Sequence, residues 1–193
     1  MQKSFLLIIT ILIVLFFQRC SFNKELTNPS PFNKENLSEI NGKYGVVESH
    51  FDSIQYGKQI WIYNNFFSEI DRKMLKDTIK LDSTKTYCTQ LEIINTKSLK
   101  VNYIEDDKII RSRIIKTRLK KDGYLYLKNK NIAFLAVPYI AGALDFKKSR
   151  LTRSAEGDLF LDVVNHRSGA FMIIAFLDGR TWKYRNEYKK TSN

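Results

Sequence analysis

The chain has 193 residues, of which 44% are hydrophobic and 13% aromatic, with eight glycines and three prolines. That composition excludes a disordered polymer, and the length supports one domain with a real core rather than two. Thirty-two lysines and arginines face twenty acidic residues, a net charge of +12, which points to an anionic neighbour.

Met1-Gln2-Lys3 sets a free amine and one lysine ahead of Phe5 to Phe17, a run that is apolar except at Thr10. A positive start, a short apolar core and the polar exit Gln18-Arg19-Cys20 are the parts of a secretion signal. A spanning helix needs about 20 apolar residues, so residues 1–19 read as a cleaved signal peptide. An uncleaved N-terminal anchor is the alternative. Phe16 or Phe17 supplies a bulky apolar position and Cys20 stands at the cleavage point. In these residues the chain resembles the bacterial lipoprotein class, over residues 1–20. That class usually has a small residue before the cysteine, where Arg19 stands here. The resemblance implies that Cys20 becomes the mature N-terminus and carries the lipid. Acyl chains contribute about 0.8 kcal/mol per buried CH₂, and stable anchoring takes more than one chain. A diacylglyceryl thioether with an N-acyl group would meet that need. Cys88 then has no partner for an intramolecular disulfide, even in an oxidising compartment. A Cys20–Cys88 bridge is the competing reading. Ser21 stands where an aspartate retains lipoproteins at the inner membrane. The resemblance therefore implies the outer membrane, and the lack of an acidic run after Cys20 implies its periplasmic face.

Ser21 to Glu39 is polar and contains Asn28-Pro29-Ser30-Pro31. Proline fixes the backbone and removes donors, so residues 20–39 read as a lipidated N-terminus and flexible tether ahead of a domain at 40–190. Lys43–Glu48 predicts a first short strand. In Lys58–Ile70 the apolar residues Ile60, Trp61, Tyr63, Phe66, Phe67 and Ile70 approximate helical spacing and predict one short helix. Thr78–Leu81 predicts a strand. From Thr86 onward the apolar period is two. Strands are expected at Thr86–Asn95, around Leu99, Val101 and Tyr103, and at Lys108–Lys120. A phase switch between Ile114 and Ile115 in the last of these predicts a bulge. Further strands are expected at Tyr124–Lys128, Leu144–Arg153, Asp158–Asn165 and Trp182–Lys189. Ile132–Ala143 is an apolar stretch containing Pro138. Ala170–Leu177 is apolar throughout and reads as covered on both faces. Turn signals stand at Glu105-Asp106-Asp107, Asp122-Gly123, Glu156-Gly157-Asp158, Ser168-Gly169 and Asp178-Gly179.

Strands at short spacing joined by hairpin turns argue for an antiparallel sandwich or an up-and-down barrel. Eight to ten strands in sequence order favour the barrel, because closure removes exposed edges. The start Gly42-Lys43-Tyr44 followed by a meander resembles the lipocalin or calycin class over about Gly42 to Lys190. It is also similar to lipoproteins of Bacteroidetes-type bacteria. Lipocalins carry tryptophan where Tyr44 stands, and Arg185 matches the arginine of their final strand. The fold class expected is therefore all-β: an antiparallel, up-and-down, lipocalin-like barrel of eight to ten strands with one short helix. The resemblance implies a barrel mouth that holds an apolar small molecule.

Chemistry is sparse. His50 and His166 lie far apart, with Asp52 near the first, whereas zinc sites take three or four ligands; no metal is expected. No Gly-x-Ser-x-Gly elbow is present, and Ser168-Gly169 after His166 reads as a turn. Asp106-Asp107 and Asp158 lie in turns, Glu92 and Asp162 within strands. Solvent exposure is expected for Glu92 and Asp162, although either could orient a ligand or act as an acid if it faced a cavity. Asp162 stands between Leu161 and Val163 and so points away from them. Lys108, Arg111, Arg113, Lys116, Arg118, Lys120 and Lys121 follow one another with no acid between them. The run reads as a solvated face or as a surface for anionic headgroups, and it lacks an RNA-binding signature. Tyr44, Trp61, Phe66, Phe67, Phe134, Phe160, Phe171, Phe176 and Trp182 are expected to fill the core, and Cys88 to be a small buried hydrophobe. The resulting expectation has no catalytic residue, no cofactor, no nucleic-acid partner and no assignable ligand residues. It is a cell-envelope lipoprotein held by lipid on Cys20, binding a hydrophobic or amphiphilic molecule in its barrel. The alternative is a structural or interaction lipoprotein with a filled barrel, acting through its basic surface.

Overall fold

Period-two alternation puts one side chain of each pair into the core and the other outside. The computed structural model describes residues 21–22, 25–47, 50–53, 65–70, 79, 81–137, 141–171 and 175–191, with backbone alone at 50–53, 130–137, 141–145, 168–171 and 175–178. Within them lie nine strands: β1 (Gly42–Gly45), β2 (His50–Ser53), β3 (Tyr87–Asn95), β4 (Ser98–Glu105), β5 (Lys108–Leu119), β6 (Leu125–Val137), β7 (Ala141–Arg153), β8 (Leu159–Phe171) and β9 (Ala175–Tyr188). A 3-10 turn precedes them at Leu37–Ile40, and one short helix, α1, spans Phe66–Ile70.

All neighbours are antiparallel, in the order β1-β3-β4-β5-β6-β7-β8-β9-β2. From β3 to β9 this is an up-and-down meander that curls into a half-barrel. The predicted all-β class, the strand number and the single short helix are those observed. β1 also bonds to the chain just beyond β9. Gly45 N–H donates to the Lys189 carbonyl at 2.9 Å and Thr191 N–H to the Lys43 carbonyl at 2.8 Å, flanking a Tyr44–Lys190 bridge. The outer edge of β1 is thereby covered rather than left as a pairing template.

Several local expectations are corrected. The bulge in β5 lies between its pairs with Tyr103 and Ile104, near Ile110, not at Ile114–Ile115. Ile115 faces the core and Ile114 is exposed by simple alternation. Ser168-Gly169 and Asp178-Gly179 are not turns but lie within β8 and β9, which run on past the predicted ends. The described helix is only Phe66–Ile70; Asn65 is described but precedes it, and the rest of Lys58–Ile70 lies outside the described residues. Ile79 and Leu81 are not in a strand, and Thr78 and Lys80 are likewise outside them.

The interior of the curl is filled where it is described. Leu99, Val101 and Tyr103 enter from β4, Leu159, Leu161 and Val163 from β8. Helix α1 packs among them: Phe66 meets Tyr188 edge-on at 4.7 Å between ring centroids, and Phe67 meets Tyr103 at 4.6 Å. Asn129, in an irregular stretch of β6, donates its amide to the Ile70 carbonyl and so satisfies one terminal acceptor of α1.

Candidate functional site

Strand register sets three charges in one row on the outer face. Arg150 of β7 stands opposite Asp162 of β8, and Asp162 stands opposite Arg185 of β9. The Arg150 Nε lies 2.9 Å from one carboxylate oxygen of Asp162, and Arg185 grips both, at 2.6 and 3.1 Å. The three side chains are buried, with Asp162 at 0%, Arg150 at 6% and Arg185 at 7% exposure. Burial works against the Arg185 charge, yet the bonds it donates to Asp162, with that carboxylate's charge, outweigh it and hold the guanidinium pKa above its usual value.

The expected exposure of Asp162 is thus corrected, and the cause is a distant stretch of chain. The described residues of the predicted tether cross this outer face. Arg185 donates to the Thr27 carbonyl at 3.0 Å, and the Tyr124 hydroxyl donates to the Leu26 carbonyl at 3.1 Å. Thr152 donates to the Asn28 side chain at 2.5 Å, Ser30 bridges Arg153, and Phe32 N–H donates to the Gly123 carbonyl at 2.8 Å. The Arg150 guanidinium lies over the Tyr124 ring at 3.6 Å and the Phe22 ring at 4.5 Å. With both carboxylate oxygens gripped from neighbouring strands, the cluster acts as a clasp for the N-terminal segment.

A second buried cluster pins α1. Glu69 accepts from the Tyr184 hydroxyl at 3.1 Å and pairs with the Lys147 ammonium at 2.5 Å. It ties the helix to β7 and β9 from inside the curl.

Next to the clasp the surface opens into a cleft of about 670 Å³. One wall is Ser21 and Phe22; the others come from β5 to β7 and bring Arg118, Lys120, Lys128, Lys148 and Arg150, with no acidic residue among the described lining residues. Two irregularities create the opening. β5 and β6 pair at only three positions, Thr117 to Leu119 against Leu125 to Leu127. β6 then slips against β7, so that residues 128–130 stand opposite Lys148 alone. Such a bulge re-aims the side chains around it. Phe22 packs edge-on against Tyr126 at 5.6 Å, and the Lys120 ammonium sits 3.7 Å above the same ring.

Cys20 and residues 1–19 lie outside the described residues, as do the side chains of His50, Asp52, Trp61, Phe134, Phe171 and Phe176. His166 Nδ1 lies 2.8 Å from the Thr181 hydroxyl, and no group of three or more potential ligands able to hold a metal occurs among the described residues. Glu92 is exposed and pairs with Lys100 at 3.3 Å. Asp158 is buried in its turn. Burial pushes its pKa up, but the Lys189 ammonium and the Lys190 N–H outweigh that and hold it below the ordinary value. Cys88 is a free, half-buried thiol whose pKa burial pushes up. Tyr44, Phe66 and Phe67 are core residues and Trp182 packs against the core. Phe160 lies outside it, its ring 4.7 Å below Arg185. Tyr44 donates inside to the Ile40 carbonyl at 2.8 Å, whereas Arg185 belongs to the outer clasp. Of the basic run on β5, Arg118 and Lys120 reach the cleft.

Phe22, Tyr126, Lys128 and Lys148 are cleft residues that sequence reasoning did not single out. Pairing the two strands of the β6–β7 hairpin would have brought Lys128 and Lys148 together. No family model, curated protein or solved structure matches the chain.

Proposed function

We propose that this is a membrane-anchored lipoprotein of the cell envelope, filled by its own side chains, that acts through its basic outer surface against anionic headgroups. The observation that carries this reading is the position of Ser21 and Phe22 in the wall of a cationic cleft. Cys20 is one peptide bond away, about 3.8 Å between α-carbons. A lipid on Cys20 would leave the protein beside Arg118, Lys120, Lys128 and Lys148. Acyl chains would supply the anchor, and each cation near an anionic leaflet adds about 1 kcal/mol.

The packing of Phe66 and Phe67 against Tyr188 and Tyr103 supports a surface role over a ligand held inside the curl. An amphiphile entering there would have to displace α1. The resemblance of residues 1–20 to lipoproteins, with Ser21 next, favours the periplasmic face of the outer membrane. Vesicle flotation of the full chain tests the headgroup preference. Binding should strengthen when phosphatidylglycerol is added to phosphatidylcholine and weaken as salt rises. Equal binding to both vesicles would contradict it. One-to-one displacement of a fluorescent fatty acid would instead favour the interior-ligand reading.

A further inference from the structure

We propose that the cleft beside Phe22 is a discrete site for one phosphate-bearing group, either a lipid headgroup or a soluble phosphate ester, rather than part of a diffuse basic patch. The inference deepens the surface reading and rests on it for the headgroup source. Its basis is convergence. Arg118 and Lys120 come from the end of β5 and the turn after it, Lys128 from the bulge of β6, and Lys148 from β7, and all line one concavity. A cleft lined by one sign of charge focuses its potential more than the same charges spread on a convex face. The volume of about 670 Å³ lies in the range of small-molecule sites.

Two carboxylates beside the cleft are already engaged by other groups. Asp162 is held by Arg150 and Arg185, and Asp122 accepts from the Tyr126 hydroxyl at 2.6 Å. The lining also holds an apolar aromatic wall, Phe22 edge-on against Tyr126. That pairing of cations with an apolar wall suits an anion carried on a sugar or glyceryl body. The bulge at residues 128–130 has a ready explanation, since it brings Lys128 to the cleft where regular pairing gives way.

Two arms test this with the full chain in nonionic detergent. The first is equilibrium dialysis against radiolabelled inorganic phosphate. Saturable binding of one phosphate per chain is expected. The variant Arg118→Gln/Lys120→Gln/Lys128→Gln should weaken it by about tenfold or more. The control Lys34→Gln/Lys97→Gln/Lys108→Gln, equal in charge and exposed elsewhere, should leave it unchanged. All six positions are exposed, so both variants should keep the parent urea midpoint. The second arm is flotation with phosphatidylcholine vesicles with or without phosphatidylglycerol. If the cleft variant alone loses the gain from phosphatidylglycerol, the site takes a lipid headgroup. If phosphate binds but phosphatidylglycerol makes no difference, the site stands with a soluble ester as its ligand and the surface reading falls. Unsaturable phosphate uptake, or equal loss in both variants, overturns the site. Flotation that still needs phosphatidylglycerol would then leave the surface reading intact.

Discussion

Asp162 shows how one side chain can be half legible. Alternation with Leu161 and Val163 correctly sends it to the face away from the core. Its burial depends on Thr27 and Asn28, more than a hundred residues earlier, and no local pattern carries that information. Removing its charge leaves Arg150 and Arg185 buried without the one carboxylate that pairs with them among the described residues. Asp162→Asn should therefore cost about 3–5 kcal/mol, read as a fall in the urea midpoint. A cost below about 1 kcal/mol would mean that the clasp is not what holds this face together. Tyr44 offers a pH test. Burial, the largest influence, pushes its phenol up to about 12, with Arg153 partly opposing. The folded state thus favours the neutral phenol more than the unfolded state does, whose pKa is near the ordinary 10.0. The stability from this residue is fully present below pH 10 and is lost as pH rises from there through about 12. Unfolding followed from pH 9 to 12 should show a late loss of stability that Tyr44→Phe removes.

At the level of elements, strands whose inward apolar residues recur at every second position were legible and those apolar at successive residues were not. β3, β4 and the first part of β8 carry that period in the sequence, and they are strands where it was read. The far ends of β6 to β9 are apolar at successive residues, so period two has no phase there. Gly169 and Gly179 resembled punctuation while lying inside strands. The bulge of β6 was illegible because Lys128-Asn129-Lys130 reads as a polar loop until β7 is set beside it. Two glycines separate backbone strain from packing. Gly157 has φ +93° with nothing near its missing Cβ, whereas Gly123 has φ +74° with a Pro31 atom 2.5 Å from where a Cβ would stand. Gly157→Ala should cost about 1–2 kcal/mol from strain alone. Gly123→Ala should cost more, and should loosen the N-terminal segment as seen by faster protease cleavage before Phe32. Phe66→Ala should cost about 3–5 kcal/mol, because its fully buried ring packs against Tyr188 and truncation leaves a cavity there.

For the whole molecule, the meander was legible because turns and alternation recur at short intervals. The cleft was not, because it forms where three separate segments meet. The N-terminal segment, the β5–β6 fork and the β6 bulge each look ordinary alone. Together they set a cationic concavity beside Ser21 and Phe22, and the proposal of a lipid-anchored surface protein depends on that coincidence. Its most direct test is the intact mass of the protein extracted from the membranes of a bacterium that processes lipoproteins. The account predicts a chain beginning at Cys20 with the added mass of a diacylglyceryl group and an N-acyl chain. A full-length chain, or one with an unmodified Cys20 thiol recovered in the aqueous fraction, would contradict it.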